Sequence, residues 1–298
     1  MTNDSSRTQT LLRVSDLTID YSAERIVHAV KKVSIELRRG EILGLAGESG
    51  CGKSTLAYGI SQLLRPPAVV TGGSVVFHDK TGEDVNVLAL QGKDLRTFRW
   101  SKVSMVFQGA MNSLNPVISI RSQIDDIFAT HRPDMSKSRR RGRARDLLDL
   151  VGVDVRRLDS YPHELSGGMR QRVMIAMALA LDPQLMIMDE PTTALDVVVQ
   201  RDILTEIMRL RSELGFAVIF ITHDLPLLLE ITDRIAVMRG GEILELATAE
   251  DLYFAAQHPY TRQLLRSFPS LTGEAGSFNR HGGVSAEAPG PYEAEGAK

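Results

Sequence analysis

The sequence predicts an α/β fold in which helices cover both faces of a mostly parallel sheet. Three short apolar runs have the length and composition of buried strands: residues 41–47, 185–188 and 217–222. Residues 197–214 separate two of these runs and have an amphipathic helical pattern, with Ile203, Ile207 and Leu210 on one face. Strands that alternate with helices in this way are typical of a parallel sheet.

The composition is that of a soluble globular protein. The chain has 298 residues, of which 43% are hydrophobic and 24% are charged. The net charge of −2 provides no overall basic field for binding nucleic acid. The single cysteine, Cys51, excludes a disulfide within the chain and fits a reducing cytoplasm.

No segment has the pattern of a membrane span or a secretory signal. Apolar runs never reach the roughly 18 residues that a membrane-spanning helix needs. Residues 1–10 are polar, without the apolar core of a signal peptide, and we expect them to be flexible. If the protein works at a membrane, another chain must hold it there.

The first part of the chain, from Leu11 to Phe77, is predicted to form strands with one helix. That helix covers residues 53–64 and is ended by Pro66-Pro67. Residues 71–73 contain Gly72-Gly73 and are predicted to form a turn into a strand at residues 74–78.

The remainder is predicted to be helical in the middle and disordered at the end. Residues 113–181 are mostly helical, and residues 235–246 form a hairpin around Gly240-Gly241. Residues 273–298 are rich in Gly, Ala, Glu and Pro. They contain too few large apolar side chains to offset the entropy of ordering, so we expect disorder.

A glycine-rich loop between a predicted strand and a predicted helix matches the phosphate-binding pattern G-x-x-x-x-G-K-[ST]. The loop and the first helical residues are Gly47, Glu48, Ser49, Gly50, Cys51, Gly52, Lys53, Ser54 and Thr55. Glycines let backbone N–H groups approach a phosphate closely, and the helix N-terminus adds positive potential. The Lys53 ammonium suits the outer phosphates, and the Ser54 hydroxyl suits Mg²⁺.

Two acids follow the apolar run at residues 185–188. Asp189 lies where a strand of a parallel sheet would end, which suits indirect Mg²⁺ binding through water. Glu190 is the candidate general base for an attacking water molecule. Many buried strands end in an acid, so this pattern alone is weak. The phosphate loop upstream makes the interpretation specific.

Between these motifs, residues 165–172 (LSGGMRQR) resemble the signature sequence of the ATP-binding-cassette family. They precede the acidic strand end at the family's spacing. A helix predicted to run to about residue 181 begins with Ser166, Gly167, Gly168 and Met169. Its N-terminus is another candidate anion site. In this family, the signature closes on the γ-phosphate of ATP held by a partner cassette, so that two chains enclose two ATP molecules.

The resemblance extends to four further positions. Gln108 matches the Q-loop residue that reaches Mg²⁺ and water, and Asp196 matches the D-loop at the dimer interface. His223 follows a predicted strand and matches the switch histidine. Tyr21 matches the aromatic residue that stacks on adenine, although an aromatic residue on an early strand could also be packed in the core.

The fold implied by the resemblance is a P-loop NTPase (RecA-like) core with a mostly parallel sheet. An antiparallel β subdomain and a helical signature subdomain complete it. The implied nucleotide-binding domain covers residues 11–246, with the helical subdomain at about residues 113–181. A C-terminal extension covers residues 247–272.

Two stretches resemble the oligopeptide/dipeptide importer branch. Residues 109–116 resemble its extended Q-loop, and residues 258–265 (HPYTRQLL) resemble its C-terminal extension. The branch implies a second ATPase subunit in a heterodimer, two transmembrane permease subunits and an extracellular substrate-binding protein. It also implies a peripheral position on the cytoplasmic face of the plasma membrane. Peptides are the expected cargo, with oligosaccharides or nickel complexes as alternatives.

The chain departs from many relatives in one respect. They carry a C-terminal cysteine cluster that can hold an iron–sulfur centre, whereas Cys51 is the only cysteine here. We therefore predict no iron–sulfur cluster. The motifs described above predict ATP and Mg²⁺ as the cofactors.

Several other interpretations remain open from the sequence. A soluble cassette ATPase acting on ribosomes or DNA is the alternative from another class, but such relatives usually carry two cassettes or a long coiled-coil insertion. An exporter cassette is a further alternative, against which residues 258–265 argue. The basic run at residues 137–145 could bind nucleic acid or anionic lipid, or could be a solvated helix face. Cys51 could be a redox switch or a small residue that fits the loop.

Overall fold

The computed structural model describes residues 10–22, 25–109, 113–193 and 195–267. The predicted disordered tail at residues 273–298 lies outside the described residues, as do nine of the ten residues predicted to be flexible at the N-terminus. The tenth, Thr10, instead begins the first strand and pairs with Arg38. Within the described ranges, no helix is both long enough and apolar enough to span a bilayer.

Strands and helices alternate along most of the described chain. The strands are β1 (Thr10–Ser22), β2 (Ile26–Arg38), β3 (Ile42–Ala46), β4 (Ala68–His78), β5 (Asp84–Asn86), β6 (Val103–Val106), β7 (Leu185–Asp189), β8 (Ala217–Ile221), β9 (Arg234–Arg239) and β10 (Glu242–Thr248). The α-helices are α1 (Lys53–Ile60), α2 (Gly92–Ser101), α3 (Ile120–His131), α4 (Lys137–Leu150), α5 (Gly167–Ala178), α6 (Val197–Leu214), α7 (Leu225–Ile231), α8 (Ala249–Ala255) and α9 (Pro259–Arg266).

Two sheets form the framework. The larger sheet has the strand order β10-β9-β3-β8-β7-β6, and its neighbours are parallel except for the antiparallel edge pair of β9 and β10. The smaller sheet has the order β2-β1-β4-β5 and is antiparallel throughout. The predicted hairpin around Gly240-Gly241 is present as β9 and β10.

Each central strand of the larger sheet serves two hydrophobic cores at once. In β7, Leu185 and Ile187 belong to the core shared with the smaller sheet and α1, whereas Met186 and Met188 belong to the core beneath the other helices. Because side chains on a strand alternate between faces, both faces of such a strand must be apolar. This requirement explains the continuous apolar runs of β3, β7 and β8.

The helices of the middle segment begin at serine residues. Ser119, Ser136 and Ser166 precede α3, α4 and α5, and each side chain accepts a hydrogen bond from a backbone N–H of the first turn. Such N-caps satisfy donors that the helix cannot pair itself. The buried faces of these helices meet through apolar side chains that include Phe128 and Leu147.

Two helices end earlier than the sequence predicts. Helix α1 stops at Ile60, not at residue 64, because the Ser61 hydroxyl bonds to the Ala57 carbonyl and Gln62 adopts a left-handed conformation with φ +54°. Helix α5 stops at Ala178, not near residue 181. There, the chain tightens into a turn beyond the helix end.

The prediction of a turn at residues 71–73 is wrong. These residues belong to β4, which is continuous from Ala68 to His78. The pairing of β4 with β1 shifts register between Ser15 and Thr18, so an irregularity of the bulge type accommodates Gly72-Gly73 within the strand.

Candidate active site

The glycine-rich loop connects the end of β3 to the start of α1. A Cβ atom on Gly47 would lie 2.2 Å from the Met238 carbonyl oxygen, and one on Gly52 would lie 2.3 Å from the Ala29 carbonyl oxygen. The φ angles of Gly47 and Gly52 are +146° and +107°, a region that favours glycine. Packing against strands β9 and β2 therefore requires both glycines. Ser49 and Gly50, at the tip of the loop, are exposed.

Lys53 lies inside this loop. Its side chain is 6% exposed, and Nζ donates to the carbonyl oxygens of Gly47 (2.7 Å) and Glu48 (2.9 Å). The buried Cys51 places Sγ 3.7 Å from the same ammonium. The loop thus surrounds a positive charge. The first turn of α1 contains no acidic residue and no side-chain cap, which leaves positive potential there.

At the end of β7, a buried carboxylate faces the first turn of α1. The Ser54 hydroxyl donates to Asp189 Oδ1 (3.0 Å), and Asp189 is 1% exposed. Burial raises the pKa of Asp189, and the hydrogen bond from Ser54 opposes that shift. Asp189 Oδ2 is buried without a hydrogen-bond partner of ordinary geometry in the described parts of the chain. A buried carboxylate oxygen beside a hydroxyl is a donor set that suits a hard cation such as Mg²⁺.

Glu190 is the centre of a second polar cluster. Its Oε2 accepts hydrogen bonds from Gln108 Nε2 (2.9 Å) and Thr193 Oγ1 (3.0 Å). Its Oε1 lies 3.2 Å from His223 Nδ1. Glu190 has a left-handed φ of +46°, and its N–H donates to the Ile221 carbonyl (2.9 Å). The ends of β6, β7 and β8 therefore bring three predicted site residues together, as expected at the carboxyl edge of a parallel sheet.

Tyr21 lies near the end of β1, beside the first turn of α1. Its hydroxyl is 3.2 Å from Thr55 Oγ1, and the side chain is half-buried. The strand partners opposite Tyr21 are Val27 and Ala68. The structure therefore places this aromatic residue next to the loop-helix segment rather than in the core between the two sheets.

The predicted signature and D-loop residues are neighbours of each other. Ser166 caps α5 by accepting from the Met169 N–H (3.3 Å), and Asp196 caps α6 by accepting from the Val199 N–H (2.9 Å). A Cβ atom on Gly168 would lie 2.8 Å from Val199 Cγ1, so the two helix starts are packed closely. Gly167 is the first residue of α5.

Sequence patterns missed two contacts to the predicted site residues. Thr193 binds the Glu190 carboxylate, and only its position three residues downstream could have suggested a role. The Tyr260 hydroxyl donates to Glu48 Oε1 (3.1 Å) across 212 positions of sequence, for which the sequence holds no signal.

The profile described as ABC transporter matches residues 30–193 of this chain. Three curated relatives are similar over most of its length. The oligopeptide transport ATP-binding protein OppD of Bacillus subtilis is 41% identical, over 89% of this chain and 74% of that protein. A probable peptide ABC transporter ATP-binding protein, y4tR of Sinorhizobium fredii, is 44% identical, over 87% and 77%. The dipeptide transport ATP-binding protein DppD of Haemophilus influenzae is 41% identical, over 95% and 84%.

Two solved structures of the cassette MJ0796 are also similar. A dimeric post-hydrolysis state bound to ADP and Pi has a TM-score of 0.68 and 29% identity, and covers 80% of this chain and 99% of that one. A second dimeric structure, described as a bacterial ABC transporter cassette, has a TM-score of 0.69 and 30% identity with the same coverage. The fold predicted from the sequence is confirmed, and the chain belongs to the ABC transporter family.

Proposed function

We propose that this chain is the ATP-binding and ATP-hydrolysing subunit of a peptide importer. The observation that carries the proposal is the convergence of Gln108 and His223 on Glu190, directly after the pair formed by Ser54 and Asp189. One carboxylate is positioned beside the phosphate loop and the next faces polar groups from two other strand ends. This is the arrangement that metal-assisted phosphoryl transfer to water needs.

Nucleotide binding is assigned to the phosphate loop, to the first turn of α1 and to Tyr21 beside it. Backbone N–H groups of residues 47–52 and the Lys53 ammonium bind the phosphates, and Thr55 belongs to the same helical turn. Tyr21, which contacts Thr55, presents a half-buried aromatic side chain for the adenine.

Ser54, Asp189 and Gln108 are the residues that would hold Mg²⁺. Asp189 Oδ2 lies beside the Ser54 hydroxyl and has no hydrogen-bond partner of ordinary geometry within the described ranges, which supports this assignment, with Asp189 acting through water. When bound there, Mg²⁺ would supply positive charge to offset the negative charge that develops on the phosphate oxygens. Gln108 contributes an amide that already contacts Glu190, so it would link the metal side of the site to the water side.

Glu190 is assigned as the residue that removes a proton from the attacking water. Its two oxygens are oriented by Thr193, Gln108 and His223, and the side chain is 17% exposed. His223, whose side chain is 69% exposed, can contact the transferred phosphate from the solvent side. A fixed carboxylate costs little reorganisation when the reaction begins.

Replacing Asp189 with asparagine should separate metal binding from folding. We expect the affinity for ATP in the presence of Mg²⁺ to fall by about tenfold, since residues that support a metal site typically contribute this much. The measurement is calorimetric titration with a slowly hydrolysed ATP analogue, with and without Mg²⁺. Unchanged Mg²⁺-dependent affinity would remove Asp189 from the metal site.

The same variant should not lose thermal stability at neutral pH without nucleotide. Because burial raises the folded-state pKa of Asp189, any stabilisation from its protonated form is present below the unfolded pKa and is lost as pH rises through the folded value. The ionised carboxylate is therefore unfavourable at neutral pH. The melting temperature of the wild type should rise relative to that of the variant only as the pH falls toward about 4. A marked drop in melting temperature at pH 7 would contradict this account.

A second cassette is the proposed partner at the signature face. Val197 and Val198 are 81% and 72% exposed at the start of α6, directly after Asp196 and beside the packed signature residues. Exposed apolar side chains beside a candidate anion site suit burial against another subunit. The dimeric cassettes among the similar structures support the same arrangement. By the branch resemblance, the partner is a different ATPase chain.

Peptide import is proposed from the relatives and from the described surface. The three relatives are named for oligopeptide, peptide or dipeptide transport. Val117 and Ile118 are 76% and 38% exposed just after the Q-loop, where a cytoplasmic helix of a permease subunit would bind. The proposed complex holds two transmembrane permeases and an extracellular substrate-binding protein. This chain would lie peripherally on the cytoplasmic face of the plasma membrane.

Affinity purification of the tagged chain from its native membranes tests this assembly. We expect mass spectrometry to identify two multi-span proteins, a second cassette and a lipid-anchored binding protein whose bound ligands are peptides. A Val117→Asp variant should recover less of the multi-span proteins, while its ATP affinity stays at the wild-type value. Ribosomal or DNA-repair proteins in place of membrane subunits would reject the transport role. Bound oligosaccharides or nickel would reject the peptide assignment alone.

A further inference from the structure

The C-terminal helix α9 reaches the phosphate loop through a single side chain. Tyr260, the second residue of α9, is 5% exposed, and its hydroxyl donates to Glu48 Oε1 (3.1 Å). Glu48 is the second residue of the glycine-rich loop, and its carbonyl oxygen accepts from Lys53 Nζ (2.9 Å). One residue of the loop is therefore bound on its side chain by the C-terminal helix and on its backbone by the phosphate-binding lysine.

The position of Tyr260 is fixed by the hairpin of β9 and β10. The Arg239 guanidinium lies 4.5 Å from the centre of the tyrosine ring, in cation–π geometry. The Glu245 carboxylate accepts hydrogen bonds from the N–H groups of Gln257 (2.7 Å) and His258 (3.1 Å), directly before α9. Because the ring is buried and the helix start is anchored, the hydroxyl has little freedom to move away from Glu48.

The negative charge of Glu48 links this contact to phosphate binding. Glu48 is an exposed residue of a loop that would surround several negatively charged phosphates. A carboxylate that turned toward those phosphates would oppose their binding, because like charges at short distance repel. Burial, and next the hydrogen bond to Glu48, raise the pKa of Tyr260, so its hydroxyl remains a donor at neutral pH.

We propose that Tyr260 is a positioning residue for nucleotide binding, which holds the Glu48 carboxylate away from the phosphates and keeps the loop in its binding conformation. The inference rests on the proposed ATP site and adds to it a residue of the C-terminal extension. The extension thereby contributes to ATP affinity in addition to any role in assembly.

The test is the Tyr260→Phe variant of the full chain, which keeps the ring, its packing and the contact with Arg239. We expect the Kd for Mg-ADP to rise by about fivefold, consistent with the loss of one hydrogen bond to a charged group that is only partly coupled to binding. The KM for ATP should rise by a similar factor, with kcat within about twofold of wild type, because Tyr260 acts on the loop and not on Glu190.

A double-mutant cycle with Glu48→Ala isolates the contact. Tyr260→Phe should change the Kd by less than about twofold when the carboxylate is already absent. Gln263→Ala, an exposed position on the same helix, should bind Mg-ADP like wild type. An unchanged Kd for Tyr260→Phe, or an equal loss in the Glu48→Ala background, would overturn the inference while leaving the ATP site intact. A wild-type chain without affinity for Mg-ADP would overturn the proposed function as well.

Discussion

Replacing Glu190 with glutamine should lower the rate of ATP hydrolysis by at least about a hundredfold, the contribution typical of a general base. The amide keeps an oxygen that can accept from Gln108 or Thr193, so the local geometry survives. It cannot remove a proton from water. Binding is retained because the Ser54 and Lys53 contacts are unaffected. ATP should therefore accumulate in a closed complex with a second cassette. Steady-state hydrolysis and size-exclusion chromatography in ATP measure the two effects.

A matched control separates this effect from the simple loss of a carboxylate. Glu83 is exposed in the turn before β5, and Glu83→Gln should hydrolyse ATP at the wild-type rate. If Glu190→Gln also retained the wild-type rate, another group would have to remove the proton. If it lost ATP binding along with hydrolysis, Glu190 would have a role in holding the nucleotide rather than in the chemical step.

Replacing Lys53 with alanine should weaken nucleotide binding by at least about a hundredfold, as expected when a charge-assisted contact to phosphate is removed from a buried site. Lys53 is the ammonium that the loop surrounds, and its Nζ also links the carbonyl groups of Gly47 and Glu48. Its removal therefore takes away both a charge and a restraint on the loop. Calorimetric titration with Mg-ADP measures the loss directly.

The control for Lys53→Ala is Lys93→Ala, which removes an exposed lysine near the start of α2. This control should bind Mg-ADP with wild-type affinity, because the charge of a solvated lysine is screened by salt. Micromolar affinity retained by Lys53→Ala would show that backbone N–H groups dominate phosphate binding. A large fall in melting temperature would indicate that the bonds of Lys53 to the loop stabilise the fold.

Much of the fold was predictable because its signals are local. Strands buried on both faces are expected to be apolar; β8 satisfies this rule throughout, and β7 satisfies it up to Asp189 at its end. Helix α6 coincides with its predicted range because its apolar periodicity begins after the Asp196 cap and its last turn is followed by Gly215 in a left-handed conformation. Where such end signals are weak, as after Ile60, the predicted boundary was wrong.

The candidate site was predictable as a set of residues but not as a set of contacts. The family resemblance pointed to Gln108 and His223, and the acids after an apolar run pointed to Glu190. Only the order of strands in the sheet brings the three within hydrogen-bond distance. The role of Tyr260 depends on a contact between distant parts of the chain, and a single sequence contains no pattern for such a pair. The left-handed conformation of Glu190 likewise has no signal in the sequence.

The left-handed backbone conformation of Glu190 affects which residue evolution retains at this position. A non-glycine residue at φ +46° costs about 1 kcal/mol relative to glycine, which adopts such angles freely. The backbone energy alone would therefore favour glycine at position 190, which follows a strand whose residues are all buried. Under the proposed role of Glu190 as the general base, we expect glutamate to persist there only as long as hydrolysis benefits the cell. If that benefit were lost, a glycine that relieves this backbone cost would end the proposed chemistry at the same position.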